Sequence, residues 1–225
     1  MGYSETEEVK PHLSNKFMVL EKTLGVPSES ALENKLYYKG VLTLYKYVLI
    51  QEEAVLLVID IQSKLIPAMK QGEQVIKNTN IIITVAKKLG IPIMVTEQYP
   101  KGLGKTVSEL SDNLGEALTY EKITFSSYTS EVISALKELG RKKIIITGME
   151  THVCVFQTVR DLLAHGYQVF LVGDAVCSRT NENYLNGLSQ MSSMGAVVTN
   201  TETVLFDLMK ESGTPLFKEL SKLIK

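Results

Sequence analysis

The chain has 225 residues, of which 44% are hydrophobic, and its formal net charge is -1 at pH 7. This composition is ordinary for a globular protein, and a near-neutral charge gives no electrostatic reason to expect a nucleic-acid partner. No apolar run approaches the roughly 20 residues that a membrane-spanning helix needs, so a membrane partner is not expected either.

The cysteines and the start of the chain bear on its location. Cys154 and Cys177 are too few for a disulfide framework, and the acidic, polar first residues do not resemble a secretory leader. A reducing, cytoplasmic setting is therefore predicted, in which at least one thiol is available for chemistry.

Residues 1–43 carry no recognisable motif. The segments 11–24 and 28–38 have a composition compatible with short helices, separated by Gly25 and Pro27. We predict a partly helical N-terminal extension of unknown role, followed by one globular domain over 44–225.

Residues 44–225 alternate between short apolar runs and longer helical segments. The runs predicted as strands are 54–59, 91–96, 118–121, 143–147, 168–172 and 196–199. The segments predicted as helices are 74–89, 130–139, 154–165 and 181–194, with one or two more in the tail, and 97–104 is predicted as a loop. A glycine closes each of these four helices, as is common at helix ends. The alternation predicts an α/β fold, a three-layer sandwich with a largely parallel sheet.

Three side chains with complementary chemistry follow the predicted strands. Asp60 follows the first strand and Lys122 the third, whereas Cys154 comes shortly after Gly148, which follows the fourth. Because active sites of parallel sheets lie at the carboxyl ends of the strands, these three side chains are predicted to share one site.

The three residues suggest a nucleophilic thiol. A free thiol has a pKa of about 8.5 and is mostly protonated at neutral pH, whereas the thiolate is the reactive form. A helix N-terminus and the Lys122 cation are expected to lower the pKa of Cys154, and Asp60 is expected to accept its proton. The thiolate would attack an amide carbonyl, and Asp60 would return the proton to the leaving amine and then activate water.

Each residue also has a structural interpretation. An aspartate after a strand often caps a helix, a lone lysine is usually solvated, and a cysteine in an apolar helix is usually a small core residue. The residues alone leave both interpretations open.

Several ordered motifs resemble the isochorismatase-like hydrolase family, also called the cysteine hydrolases, over about residues 44–210. They are LLVIDIQ (56–62), TEQYPKGLG (96–104), EKITFSSY (121–128), ITGMETHVCV (146–155), DAVCSR (174–179) and GAVVTNTETVLFDL (195–208). The nearest branch is the metal-free one of mostly uncharacterised isochorismatase-domain proteins.

The resemblance implies a fold and a set of roles. The sheet is expected to be six-stranded, parallel and Rossmann-like, with the order 3-2-1-4-5-6. Asp60, Lys122 and Cys154 match the family's catalytic triad. A cis peptide bond is implied between Met149 and Glu150, and the N–H groups of Val153 and Cys154 would then form the oxyanion hole. The family also implies a homo-oligomer.

Two departures from related activities narrow the prediction. Nicotinamidases of this superfamily bind a metal through an Asp-x-His pair and a further histidine, but this chain has no histidine between His12 and His152. True isochorismatases lack the nucleophilic cysteine, which this chain keeps. We therefore predict a hydrolase with no metal and no cofactor, which cleaves a C–N bond of a small amide, imide or carbamoyl substrate.

Four further residues are candidates for substrate binding. Gln62 and Gln98 follow strand ends and could contact a carbonyl or amide group, although structural hydrogen bonds suit them as well. Phe125 and Tyr128 follow Lys122 and could form a wall of the pocket, or equally pack in the core.

The DAVCSR segment and His152 are expected to play structural parts. We predict an ion pair between Asp174 and Arg179 and a core position for Cys177. His152 lies too close in sequence to Cys154 for their side chains to face each other readily, so a papain-like pair is not favoured.

Other functions are alternatives. The fold could serve as a catalytically weak interaction module, or in an RNA-related role of the kind attributed to some relatives. A dinucleotide-binding function is not favoured, because DIQSKLIP (60–67) has no glycine to admit a pyrophosphate.

Overall fold

A computed structural model of the chain describes residues 44–225. Residues 49–225 form one compact unit. The predicted helices at 11–24 and 28–38 lie outside the described residues, and the division into an extension and a hydrolase domain stays a prediction.

One six-stranded sheet organises this unit. Its strands are β1 (Ala54–Ile59), β2 (Ile93–Gln98), β3 (Leu118–Lys122), β4 (Lys143–Met149), β5 (Gln168–Cys177) and β6 (Val197–Thr199). All neighbouring strands are parallel, in the order β3-β2-β1-β4-β5-β6. This confirms the predicted α/β fold and the 3-2-1-4-5-6 order.

Helices cover both faces of the sheet. They are α1 (Gly72–Lys88), α2 (Pro100–Leu103), α3 (Ser108–Leu114), α4 (Ser130–Leu139), α5 (Phe156–Ala164), α6 (Asn181–Ser193), α7 (Thr201–Met209) and α8 (Pro215–Leu220). Short 3-10 turns lie at Gln51–Glu53, Ile66–Ala68 and Ser221–Ile224. Within 44–225, no helix is long and apolar enough to cross a membrane.

The central strand β1 shows why the fold has three layers. All six of its residues are buried, as its continuous apolar run AVLLVI predicts. Leu56 and Val58 pack on one face with α1 and α7, whereas Val55, Leu57 and Ile59 pack on the other with α4 and α5. Successive side chains of a strand point to opposite faces, so β1 contributes to two separate cores.

The structure departs from the predicted elements in three places. The predicted loop 97–104 contains the end of β2 and the short helix α2. Helix α3 was not predicted, because its segment SELSDNL carries apolar side chains at only two positions. Strand β5 runs on to Cys177, beyond the predicted end at 172, through the turn-forming residues Gly173 and Asp174. Its pairing with β4 is irregular between Ile146 and Gly148, which accommodates the extra residues.

Candidate active site

Asp60, Lys122 and Cys154 come together at the carboxyl edge of the sheet. Asp60 follows β1, Lys122 ends β3 and Cys154 lies after β4, and their exposed fractions are 0%, 4% and 7%. The Lys122 Nζ lies 2.6 Å from the Asp60 Oδ2. The Cys154 thiol lies close enough to the Asp60 carboxyl group for the two groups to shift each other's pKa. A carboxylate thus stands between a cation and a thiol, away from bulk water.

The backbone and side chain of Asp60 are both fixed. Its φ is +53°, a left-handed conformation, and its N–H donates to the Thr96 carbonyl oxygen at 3.1 Å. The Asp60 Oδ1 accepts a hydrogen bond from the Thr96 hydroxyl at 2.8 Å, and Oδ2 accepts from Lys122. The two oxygens of the carboxylate therefore have different partners, which sets the plane of the group.

The Lys122 ammonium is surrounded by oxygen acceptors. Besides Asp60, it donates to the Gln98 Oε1 at 2.9 Å and to the carbonyl oxygens of Phe125 and Thr124 at 3.0 and 3.3 Å. A buried cation is tolerated only when it is paired and hydrogen-bonded, and these acceptors meet that requirement.

Burial dominates the titration of the site. It raises the pKa of Asp60 above its ordinary value, an effect that Lys122 opposes. Burial, followed by the Asp60 charge, raises the pKa of Cys154 to about 12, although Lys122 acts in the opposite direction. Lys122 thus lowers the pKa of the thiol, as expected, but burial and the Asp60 charge outweigh it, so the expected net lowering is not found. The thiol is therefore neutral and lies beside a carboxylate, because the Lys122 cation is paired with Asp60 and not with the thiol.

The turn that carries Cys154 requires a glycine at its entry. Gly148 has a φ of +130°, and a Cβ at this position would overlap the Ile59 carbonyl oxygen. The peptide bond between Met149 and Glu150, which the resemblance implied to be cis, is cis in the structure. A single π-helical turn, Thr151–Val155, then leads into α5, so Cys154 lies within this turn rather than at the start of an α-helix.

One of the two predicted oxyanion donors is already engaged. The Val153 N–H donates to the Glu150 carbonyl oxygen at 3.0 Å. This leaves the Cys154 N–H as the donor for which the prediction stands.

Glu150, not Asp174, is the ionic partner of Arg179. The Glu150 Oε2 accepts hydrogen bonds from the Arg179 N–H and Nε, both at 3.0 Å. Asp174 instead accepts from the N–H and hydroxyl of Thr201 at 2.8 and 2.9 Å, at the start of α7. The predicted ion pair between Asp174 and Arg179 is therefore wrong, because Arg179 pairs with Glu150 and the Asp174 carboxylate accepts its hydrogen bonds from Thr201.

Comparisons with known proteins identify the family of the chain. The family model described as "Isochorismatase domain" matches residues 54–203. The chain belongs to the isochorismatase family. A relative named secreted isochorismatase effector Isc1, from Phytophthora sojae, is 42% identical over 182 residues, which cover 79% of this chain and 87% of that protein. Isochorismatase domain-containing protein 1 from Salmo salar is 40% identical over 167 residues, which cover 74% of this chain but only 59% of the relative.

A solved relative shares the fold. The structure of the MAR1 ribonuclease from Caenorhabditis elegans matches with a TM-score of 0.75 and 37% identity, over 79% of this chain and 92% of that one. The Phytophthora sojae relative is named as secreted and the C. elegans relative as a ribonuclease. These names describe those two proteins and not this chain.

In this isochorismatase-family chain, the two glutamines predicted to bind substrate are occupied by the protein itself. The Gln62 amide nitrogen donates to the carbonyl oxygens of Gln98 and Gly104 at 3.1 and 2.5 Å, and its Oε1 accepts from the Gln98 N–H at 2.8 Å. The Gln98 amide holds Lys122 and donates to the Ile123 carbonyl oxygen at 2.7 Å. These contacts favour the structural alternative, and substrate contact by either side chain stays a prediction.

The two predicted aromatic residues lie in different environments. Phe125 is 53% exposed beside Lys122 and is available to contact a substrate or a second chain. The Tyr128 ring packs 4.5 Å from the His165 ring and 6.3 Å from the Tyr167 ring, measured between centroids. Because His165 follows the far end of α5, this position favours packing over substrate contact for Tyr128.

Sequence reasoning missed three buried hydroxyls around the triad. Thr96, Ser127 and Thr158 have no exposed surface, and they link Asp60 to the Cys154 carbonyl through hydrogen bonds. Thr96 and Ser127 lie in the motifs TEQYPKGLG and EKITFSSY and Thr158 lies in none, and no spacing identifies a contact between residues from three elements. The His152 side chain contacts Ser178, with 3.0 Å between its Nδ1 and the Ser178 Oγ, as expected for a histidine that does not pair with Cys154.

Two cavities differ in their relation to the triad. One of about 300 Å³ lies beside Lys122 and is lined by Tyr99, Pro100, Lys101, Glu121, Lys122 and Ile123. A larger apolar one of about 440 Å³ is lined in part by Met94, Leu118 and Leu139, near the amino ends of β2 and β3. The larger cavity is thus at the opposite edge of the sheet from Asp60, Lys122 and Cys154.

Proposed function

We propose that the chain is a metal-independent cysteine hydrolase that cleaves a C–N bond in a small amide, imide or carbamoyl compound. The observation that carries the proposal is the contact of the Cys154 thiol with a buried Asp60 carboxylate whose other oxygen lies 2.6 Å from Lys122. A neutral thiol beside a fixed carboxylate suits a mechanism in which attack and proton transfer occur together.

The proton and bond changes balance over two steps. The Cys154 Sγ attacks the carbonyl carbon while Asp60 takes the thiol proton, and the Cys154 N–H is proposed to stabilise the oxyanion. When the C–N bond breaks, Asp60 returns this proton to the leaving nitrogen and a thioester remains. Asp60 then takes a proton from water, which attacks the thioester, and this proton restores the thiol as the acid product leaves.

Metal independence is part of the proposal. It is supported by the histidine-free segment TEQYPKGLG, where nicotinamidases place ligands. Within 44–225, no three His, Cys, Asp or Glu side chains come together as a set of metal ligands. Unchanged turnover after treatment with a chelator would support this part, and loss that a divalent metal restores would contradict it.

A screen of small amides, imides and carbamoyl compounds for ammonia or amine release tests the function. Cys154→Ala is expected to abolish release, whereas Cys177→Ala, the matched change at the other buried cysteine, should retain it. An acid-quenched reaction should also show a mass increase on Cys154 that corresponds to replacement of the thiol hydrogen by the acyl group. Release that survives in Cys154→Ala would overturn the proposal, and no release with any compound would favour the interaction-module alternative.

RNA cleavage is a second candidate, because the C. elegans relative named a ribonuclease is 37% identical. The net charge of -1 does not favour it, since nonspecific RNA affinity depends on neutralising phosphates. We expect no cleavage of a labelled single-stranded RNA. Cleavage that is lost in Cys154→Ala, with binding that weakens steeply as salt rises, would favour the second candidate.

We also propose a homo-oligomer that forms through an exposed apolar patch beside Lys122. The patch consists of Tyr99, Ile123 and Phe125, with exposed fractions of 52%, 74% and 53%. Contiguous exposed apolar side chains are typical of protein contacts. Sedimentation velocity should show that Ile123→Asp reduces the assembly while Leu185→Asp, at an apolar position on α6 that is 53% exposed, does not. A cytoplasmic location also stays a prediction, which imaging of the tagged full chain would test.

A further inference from the structure

Three buried hydroxyls and one backbone N–H connect the proposed base to the backbone of the proposed nucleophile through the protein interior. The Thr96 hydroxyl donates to the Asp60 Oδ1 at 2.8 Å, and the Thr96 and Ser127 hydroxyl oxygens lie 3.1 Å apart. The Ser127 N–H donates to the Thr158 hydroxyl at 2.8 Å, and the Thr158 hydroxyl donates to the Cys154 carbonyl oxygen at 2.7 Å. We call Thr96, Ser127 and Thr158 the hydroxyl relay.

The direction of the hydrogen bond between the two hydroxyls follows from the charge of Asp60. An ionised carboxylate only accepts hydrogen bonds, so the single Thr96 hydroxyl proton is committed to Oδ1. The Ser127 hydroxyl must then supply the proton of its bond with Thr96. The other two bonds have fixed donors, the Ser127 N–H and the Thr158 hydroxyl, so every bond of the relay has one possible donor while Asp60 is ionised.

The relay brings together three elements that are distant in sequence. Thr96 lies on β2, Ser127 in the segment between β3 and α4, and Thr158 on α5. The same segment supplies the carbonyl oxygens of Thr124 and Phe125 that hold Lys122. All three relay residues are fully buried, so water cannot replace their hydrogen bonds.

We propose that the hydroxyl relay consists of positioning residues: Thr96 keeps Asp60 ionised and oriented, and Thr158 fixes the backbone that carries the Cys154 thiol. This inference rests on one part of the proposed function, namely that Asp60 is the base for Cys154. It does not depend on the nature of the substrate.

The two ends of the relay make different predictions. Loss of the Thr96 donor leaves the charged form of Asp60 less stabilised, so the pKa of this carboxyl rises. Loss of the Thr158 donor leaves Asp60 unchanged but frees the Cys154 backbone, so that the thiol is held less accurately. A residue with a purely packing role would change neither quantity selectively.

The test uses iodoacetamide and the full chain, with the rate of Cys154 alkylation followed by mass spectrometry as a function of pH. Thr96→Val should move the acid midpoint of this rate upward by about one pH unit, since a hydrogen bond to a charged group is being lost. Thr96→Ser, which keeps the hydroxyl, should restore the midpoint. Thr158→Val should keep the midpoint and lower the plateau rate by about tenfold.

Thr79→Val is the matched control. Thr79 is a fully buried threonine on α1 whose hydroxyl has no hydrogen-bond partner within the described part of the chain. Its replacement should change neither the midpoint nor the plateau. If Thr96→Val does not fold, Ser127→Ala gives a second measurement, for which a smaller upward shift is expected.

A midpoint that stays the same in Thr96→Val or in Ser127→Ala as in the Thr79→Val control would overturn the proposal. The amide screen fails separately: no turnover together with the predicted alkylation shifts would contradict the proposed activity and support the relay. Turnover that depends on Cys154, without a shift of the midpoint in Thr96→Val, would support the proposed activity and contradict the relay.

Discussion

The Lys122 Nζ lies 2.6 Å from the Asp60 Oδ2, and both side chains are almost completely buried. The attraction between two buried charges offsets the free-energy cost of their desolvation only when they are close together and their other polar atoms are hydrogen-bonded. Lys122 lowers the pKa of Asp60 and so supports its ionised form. Its direct effect on the thiol is smaller, because burial and the Asp60 charge raise the pKa of Cys154 by more than Lys122 lowers it.

Removal of the Lys122 charge should cost stability as well as activity. Lys122→Met leaves a buried carboxylate without its cation, and we expect a loss of about 3–5 kcal/mol in the free energy of unfolding. Activity should disappear because Asp60 then becomes protonated. Urea denaturation of the wild type and the variant, under the same buffer conditions, measures the first effect.

Two further variants separate the buried charge from the lost side chain. The double variant Asp60→Asn with Lys122→Met removes both charges and should recover part of the stability. Lys88→Met breaks an exposed ion pair with Glu219, 2.7 Å long, and should cost less than about 1 kcal/mol. A double variant no more stable than Lys122→Met would indicate that lost packing, rather than an unpaired charge, causes the effect.

The pH dependence of turnover should reflect a raised carboxyl pKa. Asp60 acts as a base only when it is ionised, and burial raises its pKa, so kcat/KM should fall on acidification at a pH above the usual carboxyl value of about 4. The pKa of Cys154 is raised to about 12, so the rate should be flat between about pH 7 and 9 instead of rising with thiolate formation near 8.5. A rise of about tenfold across that interval would contradict the neutral-thiol mechanism.

Much of the fold and the triad could be predicted from local patterns. The apolar run of β1 followed by Asp60, and the strands that deliver Lys122 and Cys154 to one edge, follow from strand periodicity and the geometry of parallel sheets. The resemblance of the ordered motifs to the family then predicted a catalytic role for each of the three residues.

The rest depends on contacts that no local pattern reports. The pKa of Cys154 is set by burial, and burial is a property of the assembled fold. The choice of Glu150 over Asp174 as the partner of Arg179 depends on a turn whose path cannot be read from spacing. The hydroxyl relay likewise joins three elements through side chains that are individually ordinary in a strand, a loop and a helix.

The two cysteines should differ in reactivity although burial raises the pKa of each to about 12. Cys154 is 7% exposed and contacts Asp60, whereas Cys177 is fully buried at the end of β5. Iodoacetamide at pH 7 should therefore label Cys154 faster. Asp60→Asn should slow the labelling of Cys154 and leave that of Cys177 unchanged, and equal rates at the two cysteines in the native protein would refute base assistance.

Gly148 should tolerate no side chain. Its φ of +130° is rarely adopted by other residues, and a Cβ would overlap the backbone of Ile59 on the neighbouring strand, which has no room to move in the centre of the sheet. We expect Gly148→Ala to lower the free energy of unfolding by about 3 kcal/mol or more. Gly140→Ala is the control, because Gly140 has a φ of +64° but no atom within 4 Å of its Cβ position, so only the conformational cost of about 1 kcal/mol applies. Urea midpoints of the two variants give the comparison, and equal losses would show that the close approach to Ile59 is not what requires a glycine.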